Sequence, residues 1–245
     1  MQENWLARER LLIGEEGVSL LSGSTVCVLG LGGVGGAAAE ALCRAGIGHL
    51  ILVDHDTVDM TNLNRQLFAT QDTIGQKKID AAKRRLSAIN PRAAFTALDT
   101  FYLPENREEL FSLHPAFIID AIDTVTAKLD LAQQCQLREI PLISCLGTGN
   151  RLDPAKLTLG TIEETAGCGC PLARVMRREC RKRGIRKLPV AFSTEIPVQG
   201  VCSGDSPAGR HSPGSISFVP PVAGYLLASY AVRRLLRWEQ DSSWK

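Results

Sequence analysis

Short continuous apolar runs alternate along this chain with stretches in which apolar residues recur every three or four positions. The runs predict buried strands and the recurring spacing predicts amphipathic helices. The predicted strands span residues 25–30, 49–54, 93–98, 116–121 and 141–146, and the predicted helices between them span 34–45, 76–90 and 124–138. This alternation predicts a Rossmann-like, doubly wound α/β fold with a mostly parallel sheet and right-handed crossovers.

The pattern becomes looser after about residue 150. We predict strands at 157–162 and 190–193, a helix at 171–183 with Pro171 in its first position, a turn-rich loop at 203–215 and an apolar helix at 219–239. We interpret residues 1–245 as one domain. Its core is expected at about 20–150, and a C-terminal α/β elaboration at about 151–245 is expected to serve substrate binding and dimer contact.

Composition excludes some classes of protein. The chain has 245 residues, of which 44% are apolar and 22% charged, with a net charge of +2, as in an ordinary globular domain. Its longest nearly apolar run, 218–232, contains two prolines and is shorter than the roughly 20 residues that cross a membrane, so no membrane association is expected. Eight scattered cysteines without a secretory signal indicate reduced thiols and a cytoplasmic protein.

A glycine-rich turn follows the first predicted strand. Gly30, Gly32 and Gly35 form GxGxxG, with Gly33 between them, and Asp54 ends the next strand. Glycines let the backbone approach phosphate groups at a helix N-terminus, and a carboxylate at that distance accepts hydrogen bonds from a ribose. The combination predicts a nucleotide site, so the core at about 20–150 is expected to bind a nucleotide. It does not identify the nucleotide.

Further polar residues are predicted at the same edge of the sheet. Those in the loop after the second strand are Asp56, Asn62, Arg65 and Gln66; Lys77 and Lys78 begin the next helix, and Asp123 ends the AFIIDAID segment. Arginine and lysine suit phosphate oxygens, and a lone carboxylate suits Mg²⁺. Each residue alone is explained as a solvated charge or a helix cap. Together they favour ATP, because an NAD-dependent oxidoreductase would give no role to Arg65, Lys78 or Asp123.

Positive charge is concentrated in one segment. Residues 174–187 carry a net charge of +7, which leaves −5 for the rest of the chain. The predicted RNA-contacting residues are Arg174, Arg177, Arg178, Arg181, Lys182 and Arg183. A solvated helix face is the alternative, but such local concentration favours a nucleic-acid backbone.

The motifs GLGGVGG, LVDHD, NLNRQ, GQKK and DAID, in this order, resemble those of the adenylating enzymes related to ubiquitin activation. Bacterial relatives of those enzymes serve molybdopterin and thiamine synthesis. The resemblance implies an ATP-dependent, ligase-type reaction in which a carboxylate becomes an acyl-adenylate and diphosphate is released.

The resemblance also implies roles for individual residues. Asp54 would hold the ribose, Asp123 would hold magnesium, and Asn62, Arg65 and Lys78 would contact the phosphates. Arg10, or Arg8 in its place, would reach the ATP of a partner subunit. That arrangement requires a homodimer, for which the apolar C-terminal helix and the segments around 190–218 are expected to supply the interface.

The second half contains GTGNRLDP, PLARVMRRECRKRGI, FSTE and GSISFVPPVAGYLLASYAV, which resemble segments of the tRNA threonylcarbamoyladenosine dehydratases. This resemblance implies that the carboxylate to be activated belongs to the threonylcarbamoyl group on a tRNA adenosine. Loss of the adenylate would then close a ring. The expected ligands are therefore ATP, Mg²⁺ and tRNA.

The alternative is an adenylyltransferase or sulfur-relay enzyme acting on the C-terminal glycine of a small sulfur-carrier protein. Such relatives hold zinc with two CxxC pairs, whereas this chain has the CxC of Cys168 and Cys170, followed by Cys180 and Cys202. Val190 and Ala191 stand where some dehydratases carry a cysteine before FSTE. A catalytic cysteine is therefore not expected, and a cysteine-desulfurase system is left open as a partner.

Overall fold

The computed structural model describes residues 5–198 and 213–238. Its strands are β1 (Thr25–Leu29), β2 (His49–Val53), β3 (Ala94–Leu98), β4 (Phe117–Asp120), β5 (Leu142–Cys145), β6 (Leu157–Thr161) and β7 (Pro189–Ser193). Its helices are α1 (Ala7–Ser22), α2 (Gly33–Arg44), α3 (Lys78–Ile89), α4 (Arg107–Phe111), α5 (Val125–Leu137), α6 (Pro171–Lys182) and α7 (Val219–Leu235).

One sheet contains all the strands of the described residues, in the order β3-β2-β1-β4-β5-β7-β6. Neighbouring strands are parallel except at the edge, where β6 runs antiparallel to β7. The predicted Rossmann-like fold is confirmed. The two strands of the C-terminal part, β6 and β7, extend the same sheet.

Helices cover both faces of this sheet, as a doubly wound fold requires. Alternate residues of β1 enter two cores: Val26 and Val28 pack with α2, α3 and α7, whereas Cys27 and Leu29 pack with α4, α5 and α6. All four are fully buried. This two-sided burial explains why the strands are continuous apolar runs without polar alternation.

The predicted strand bounds agree with the structure to within one residue at each end. Two helices were not predicted. α1 contains Gly14 at φ 73° in a non-helical conformation and exposes Leu11 and Leu12, so it lacks an amphipathic pattern. α4 is little more than one turn long. In the predicted 203–215 loop, residues 203–212 lie outside the described residues, as does Cys202, and so does residue 239 at the end of the predicted last helix.

The apolar character of α7 is explained within one chain. A Cβ at Gly224 would lie 2.2 Å from the carbonyl oxygen of Val34, so α7 packs directly onto α2. Leu227 and Ala231 face the same core. The expectation that the apolar side of this helix forms a two-fold interface is therefore wrong for these positions. No helix of the described residues is both long and apolar enough to cross a membrane.

Candidate active site

A pocket of about 340 Å³ opens where the strand order reverses between β1 and β4, at the carboxyl ends of the strands. Ligands of open α/β sheets bind at this kind of switch point. Ten of the predicted nucleotide-site residues line it: Gly30, Gly32, Gly33, Asp54, Asp56, Asn62, Arg65, Gln66, Lys78 and Asp123. The remaining two, Gly35 and Arg10, do not line the pocket.

The glycines of the turn differ in what they provide. Gly30 adopts φ 83°, and a Cβ at Gly35 would lie 1.7 Å from the Gly30 carbonyl oxygen, so both glycines are needed for the turn itself. A Cβ at Gly32 would meet no described atom closer than 3.9 Å, which leaves room for a ligand. No side chain caps the start of α2, so its N-terminus remains suited to an anion.

Asp54 braces the glycine turn against the end of β2. One carboxylate oxygen accepts a hydrogen bond of 2.6 Å from the Leu31 amide and the other accepts one of 2.8 Å from the Asp56 amide. The residue is buried. The sequence suggested a contact with ribose for this carboxylate, but it did not reveal this bracing role. A ribose hydroxyl would have to share these oxygens.

Lys78 begins α3 and points into the pocket. Its buried ammonium group donates a hydrogen bond of 2.7 Å to the half-exposed carboxylate of Asp56. Burial acts to raise the pKa of Asp56, but the hydrogen bond and charge of Lys78, with smaller effects of His55 and Lys77, outweigh burial and lower it. Asp56 thus remains ionised and holds the lysine at the pocket wall.

Arg65 lies in the same wall on a loop built by local hydrogen bonds. The Asn62 side chain accepts a bond of 3.1 Å from the Asp59 amide, which closes the first turn of this loop. Arg65 Nη1 donates to the Thr61 carbonyl and to Asn64 Oδ1, both at 2.9 Å. These contacts orient the guanidinium group and leave its other nitrogens available for phosphate.

Asp123 follows β4 rather than ending it, because that strand stops at Asp120. The helix that follows takes Thr124 as its N-cap residue, so the structure does not support Asp123 as the cap, and the Thr124 side chain makes no capping bond. Within the described residues no hydrogen bond or ion pair engages the exposed Asp123 carboxylate. A free carboxylate in a phosphate pocket fits the chemistry of Mg²⁺.

A buried polar network that the sequence reading missed supports the loop of Asp123. Lys128 Nζ donates to Asp120 at 2.9 Å, to the Ser144 hydroxyl at 3.0 Å and to the Cys145 carbonyl at 2.7 Å. The second oxygen of Asp120 accepts from the Ile122 amide at 3.2 Å. The network joins β4, α5 and β5 at the pocket floor. Asp120 stands within an otherwise apolar run, and this was the sequence signal that could have revealed the network.

The remaining predicted site residues lie apart from the pocket. Arg10 on α1 pairs with Glu15 at 2.8 Å, so one chain does not bring it to the nucleotide site. Five of the predicted RNA-contacting residues are exposed: Arg174, Arg178, Arg181, Lys182 and Arg183. Arg177 is different, because its guanidinium group turns inward and donates to the Thr165 carbonyl and hydroxyl oxygens at 2.7 and 2.8 Å. It does not belong to the exposed basic surface.

The cysteines of the described residues give no sign of a zinc site or a nucleophile. Every described cysteine is free and buried. Burial raises the pKa of Cys180 to about 11 and that of Cys145 to about 12, which keeps both thiols protonated. Among residues 5–198 and 213–238 the one group with metal-ligating spacing is Asp54, His55 and Asp56, which belongs to the nucleotide pocket.

Comparison with known proteins places this geometry in a family. The ThiF family model matches residues 6–244. The tRNA threonylcarbamoyladenosine dehydratase of Bacillus subtilis is 43% identical over 241 residues, which cover 94% of each chain. The molybdopterin-synthase adenylyltransferase of Escherichia coli is 33% identical over 160 residues, which cover 65% of this chain and 63% of the relative.

Solved structures agree with the sequence comparison. The Escherichia coli tRNA threonylcarbamoyladenosine dehydratase in complex with ATP superimposes with a TM-score of 0.85 at 31% identity, covering 97% of this chain and 96% of the other. The same enzyme in complex with AMP gives the same TM-score over 94% and 93%. The similarity therefore extends through the C-terminal part of the fold.

Proposed function

Because the chain belongs to the ThiF family, and within it to the tRNA threonylcarbamoyladenosine dehydratases, we propose that it cyclises threonylcarbamoyladenosine in tRNA by ATP-dependent adenylation of the carboxylate. The observation that carries this proposal is the gathering of Arg65, Lys78 and Asp123 around the glycine-turn pocket. A dehydrogenase pocket would need none of these three charges.

ATP would lie with its phosphates over Gly32 and the start of α2. The open space at Gly32 and the uncapped helix N-terminus favour that placement. Asp54 would accept from the ribose, while Asn62, Gln66 and Arg65 face the pocket from the loop after β2. Arg65 and Lys78 would stabilise negative charge that develops on the phosphates during transfer.

The first step forms one bond and breaks another. A carboxylate oxygen of the threonyl group attacks the α-phosphorus of ATP, the bond from that phosphorus to the bridging oxygen breaks, and diphosphate leaves. In the second step a nucleophilic atom of the neighbouring carbamoyl group attacks the acyl carbon, loses its proton, and AMP leaves. The tRNA loses one water overall. Proximity of the two groups accelerates ring closure without a cysteine.

Asp123 is the residue that would hold Mg²⁺. The ion, when bound, would neutralise charge on the phosphates of ATP. The donor set fits, since Asp123 faces the pocket as an exposed carboxylate without a protein partner in the described residues. Asp56 is engaged by Lys78 and is the poorer candidate.

A homodimer is part of this proposal, because Arg10 pairs with Glu15 and does not line its own chain's pocket. Leu11 and Leu12, next to Arg10 on α1, are 83% and 74% exposed. Two adjacent exposed leucines beside that arginine favour contact with a second copy. Arg10 would leave Glu15 and reach the phosphates bound by the partner.

The tRNA would contact the exposed basic residues of α6, and the setting would be the cytoplasm. The free, buried cysteines of the described residues agree with a reducing compartment. The same cysteines offer no accessible thiol, so the described part of the chain contains nothing that favours a cysteine-desulfurase partner.

Mass spectrometry of tRNA nucleosides tests the reaction. Incubation with ATP, magnesium and threonylcarbamoylated tRNA should remove one water from the modified adenosine and form AMP. Asp123→Asn should abolish both products, whereas Asp80→Asn, an exposed aspartate on α3, should not. Unchanged tRNA with the wild-type protein would contradict the proposal.

The alternative is activation of a small sulfur-carrier protein, as in the molybdopterin relative. It predicts ATP–diphosphate exchange when a carrier protein with a C-terminal glycine is added, and no change in tRNA. ATP–diphosphate exchange in the presence of the carrier protein, together with unchanged tRNA, would favour this alternative.

A further inference from the structure

The basic helix α6 runs along the sheet from the carboxyl ends of the parallel strands, the carboxyl edge, to their amino ends, the amino edge. It begins at the carboxyl edge, where a Cβ at Gly147 would lie 3.1 Å from the sulfur of Cys170, the N-cap residue of α6. It ends near Pro189, where β7 starts at the amino edge. Its 12 residues span roughly 18 Å. The exposed arginines of α6 therefore form a track of positive charge. This track leads away from the carboxyl edge, where the nucleotide pocket lies.

A second pocket lies at the far end of that track. It has a volume of about 240 Å³ and is bounded by the starts of β5 and β7 and by the C-terminal ends of α5 and α7. Apolar side chains such as Ile140, Ile185 and Leu188 form its floor. Arg186, Lys187 and Arg234 stand at its rim and are all exposed. We call these three residues the amino-edge cations.

The amino-edge cations have no acidic partners among the described residues. None of the three side chains forms an ion pair there, in contrast to Lys182 and Arg178, which share Glu179. Glu163 accepts a 3.3 Å hydrogen bond from the backbone amide of Lys187 and not from its side chain. Positive charge at this rim is therefore available to an external polyanion.

Stabilisation of helix C-termini explains part of this charge. Arg234 lies in the last turn of α7, where a cation interacts favourably with the helix dipole. Arg186 and Lys187 lie beyond the end of α6, and Lys187 adopts the left-handed region at φ 53°. Interaction with a helix dipole therefore explains Arg234 but not Arg186 or Lys187.

We propose that the amino-edge cations bind the tRNA backbone at a distance from the modified adenosine, as the end of a track that starts at the nucleotide edge and follows α6. The inference rests on the proposed function. The modified base would enter the carboxyl-edge pocket, the phosphates of the flanking strand would follow α6, and the stem would cross the amino-edge pocket. Recognition there is electrostatic, so it does not depend on base sequence.

Binding of whole tRNA at several salt concentrations tests the track. The variant Arg186→Gln/Lys187→Gln/Arg234→Gln should bind tRNA about tenfold more weakly at low salt. The slope of log K against log salt should become less negative by about 2.7, because three phosphate contacts to a duplex stem are lost at about 0.9 each. The charge-matched control Lys83→Gln/Arg84→Gln/Arg92→Gln alters exposed cations on and after α3 and should behave as wild type.

A short anticodon-loop RNA that carries the modified adenosine distinguishes binding along this track from chemistry at the nucleotide pocket. The triple variant should process this RNA at the wild-type kcat/KM and should lose efficiency with whole tRNA alone. Equal binding of whole tRNA by wild type and triple variant would overturn the inference and leave the dehydratase proposal intact. A lower melting temperature of the triple variant without any loss of tRNA affinity would also overturn the inference. It would indicate that these cations stabilise helix C-termini instead. Failure of the wild type to bind or modify tRNA would instead refute the proposed function.

Discussion

The ammonium group of Lys128 lies 2.9 Å from the carboxylate of Asp120, and both side chains are essentially inaccessible to solvent. The pair is satisfied on every side, since Ser144 donates to the same carboxylate oxygen at 2.5 Å and Lys128 also donates to the Cys145 carbonyl. Such a network fixes a unique arrangement of the elements that meet there. The loop that carries Asp123 begins directly after it.

Removal of Lys128 alone should strongly destabilise the protein. Lys128→Met leaves the Asp120 carboxylate buried without its counter-ion, which costs about 3–5 kcal/mol of the free energy of unfolding. Urea denaturation measures this loss. The double variant Lys128→Met/Asp120→Asn should recover much of the stability, because the buried charge is gone. Lys83→Met on the exposed face of α3 serves as the control, and an equal loss in single and double variants would contradict this explanation.

The contact between Lys78 and Asp56 predicts a dependence on pH. The pKa of Asp56 is lowered in the folded state, so its contribution to stability is fully present above the ordinary aspartate value of about 3.9 and is lost as pH falls through the folded value. Thermal melting of wild type and Asp56→Asn should therefore differ at neutral pH by an amount that stays constant down to about pH 5. Below about pH 4 the difference should shrink. A difference that grows on acidification would be inconsistent with this pairing.

Asn64 connects the nucleotide loop to the segment that precedes α7. Its side chain accepts from Arg65 and donates to the Ser215 carbonyl at 3.0 Å. Asn64→Ala removes both bonds and should raise the KM for ATP about two- to tenfold, the value of one modest hydrogen bond. Asn64→Asp keeps the acceptor for Arg65, loses the donor to Ser215 and places a carboxylate beside the guanidinium group, so its KM for ATP should rise at least as much as that of Asn64→Ala. Steady-state kinetics of AMP formation measures both values, and a wild-type KM in the Asn64→Asp variant would contradict a phosphate-binding role for Arg65.

Much of the fold followed from local patterns, whereas the partners of individual charges did not. Apolar runs buried on both faces gave the strand bounds, and glycine spacing located the pocket. The inward turn of Arg177 onto Thr165 depends on a tertiary contact between α6 and the preceding turn, which spacing does not encode. The packing of α7 on α2 likewise requires the close approach at Gly224. Apolar composition alone could not distinguish that core contact from a dimer interface.

Gly32 and Gly35 provide the sharpest contrast between a binding role and a structural role in the same turn. Alanine at position 35 would place its Cβ 1.7 Å from the Gly30 carbonyl oxygen, so Gly35→Ala should disrupt the turn and lower the melting temperature markedly. Alanine at position 32 meets no described atom within 3.9 Å, so Gly32→Ala should melt near the wild-type temperature. Its methyl group would occupy the space needed by the phosphates, and ATP affinity measured by calorimetry should fall. Unchanged ATP affinity in a folded Gly32→Ala protein would mean that the phosphates do not lie over this turn.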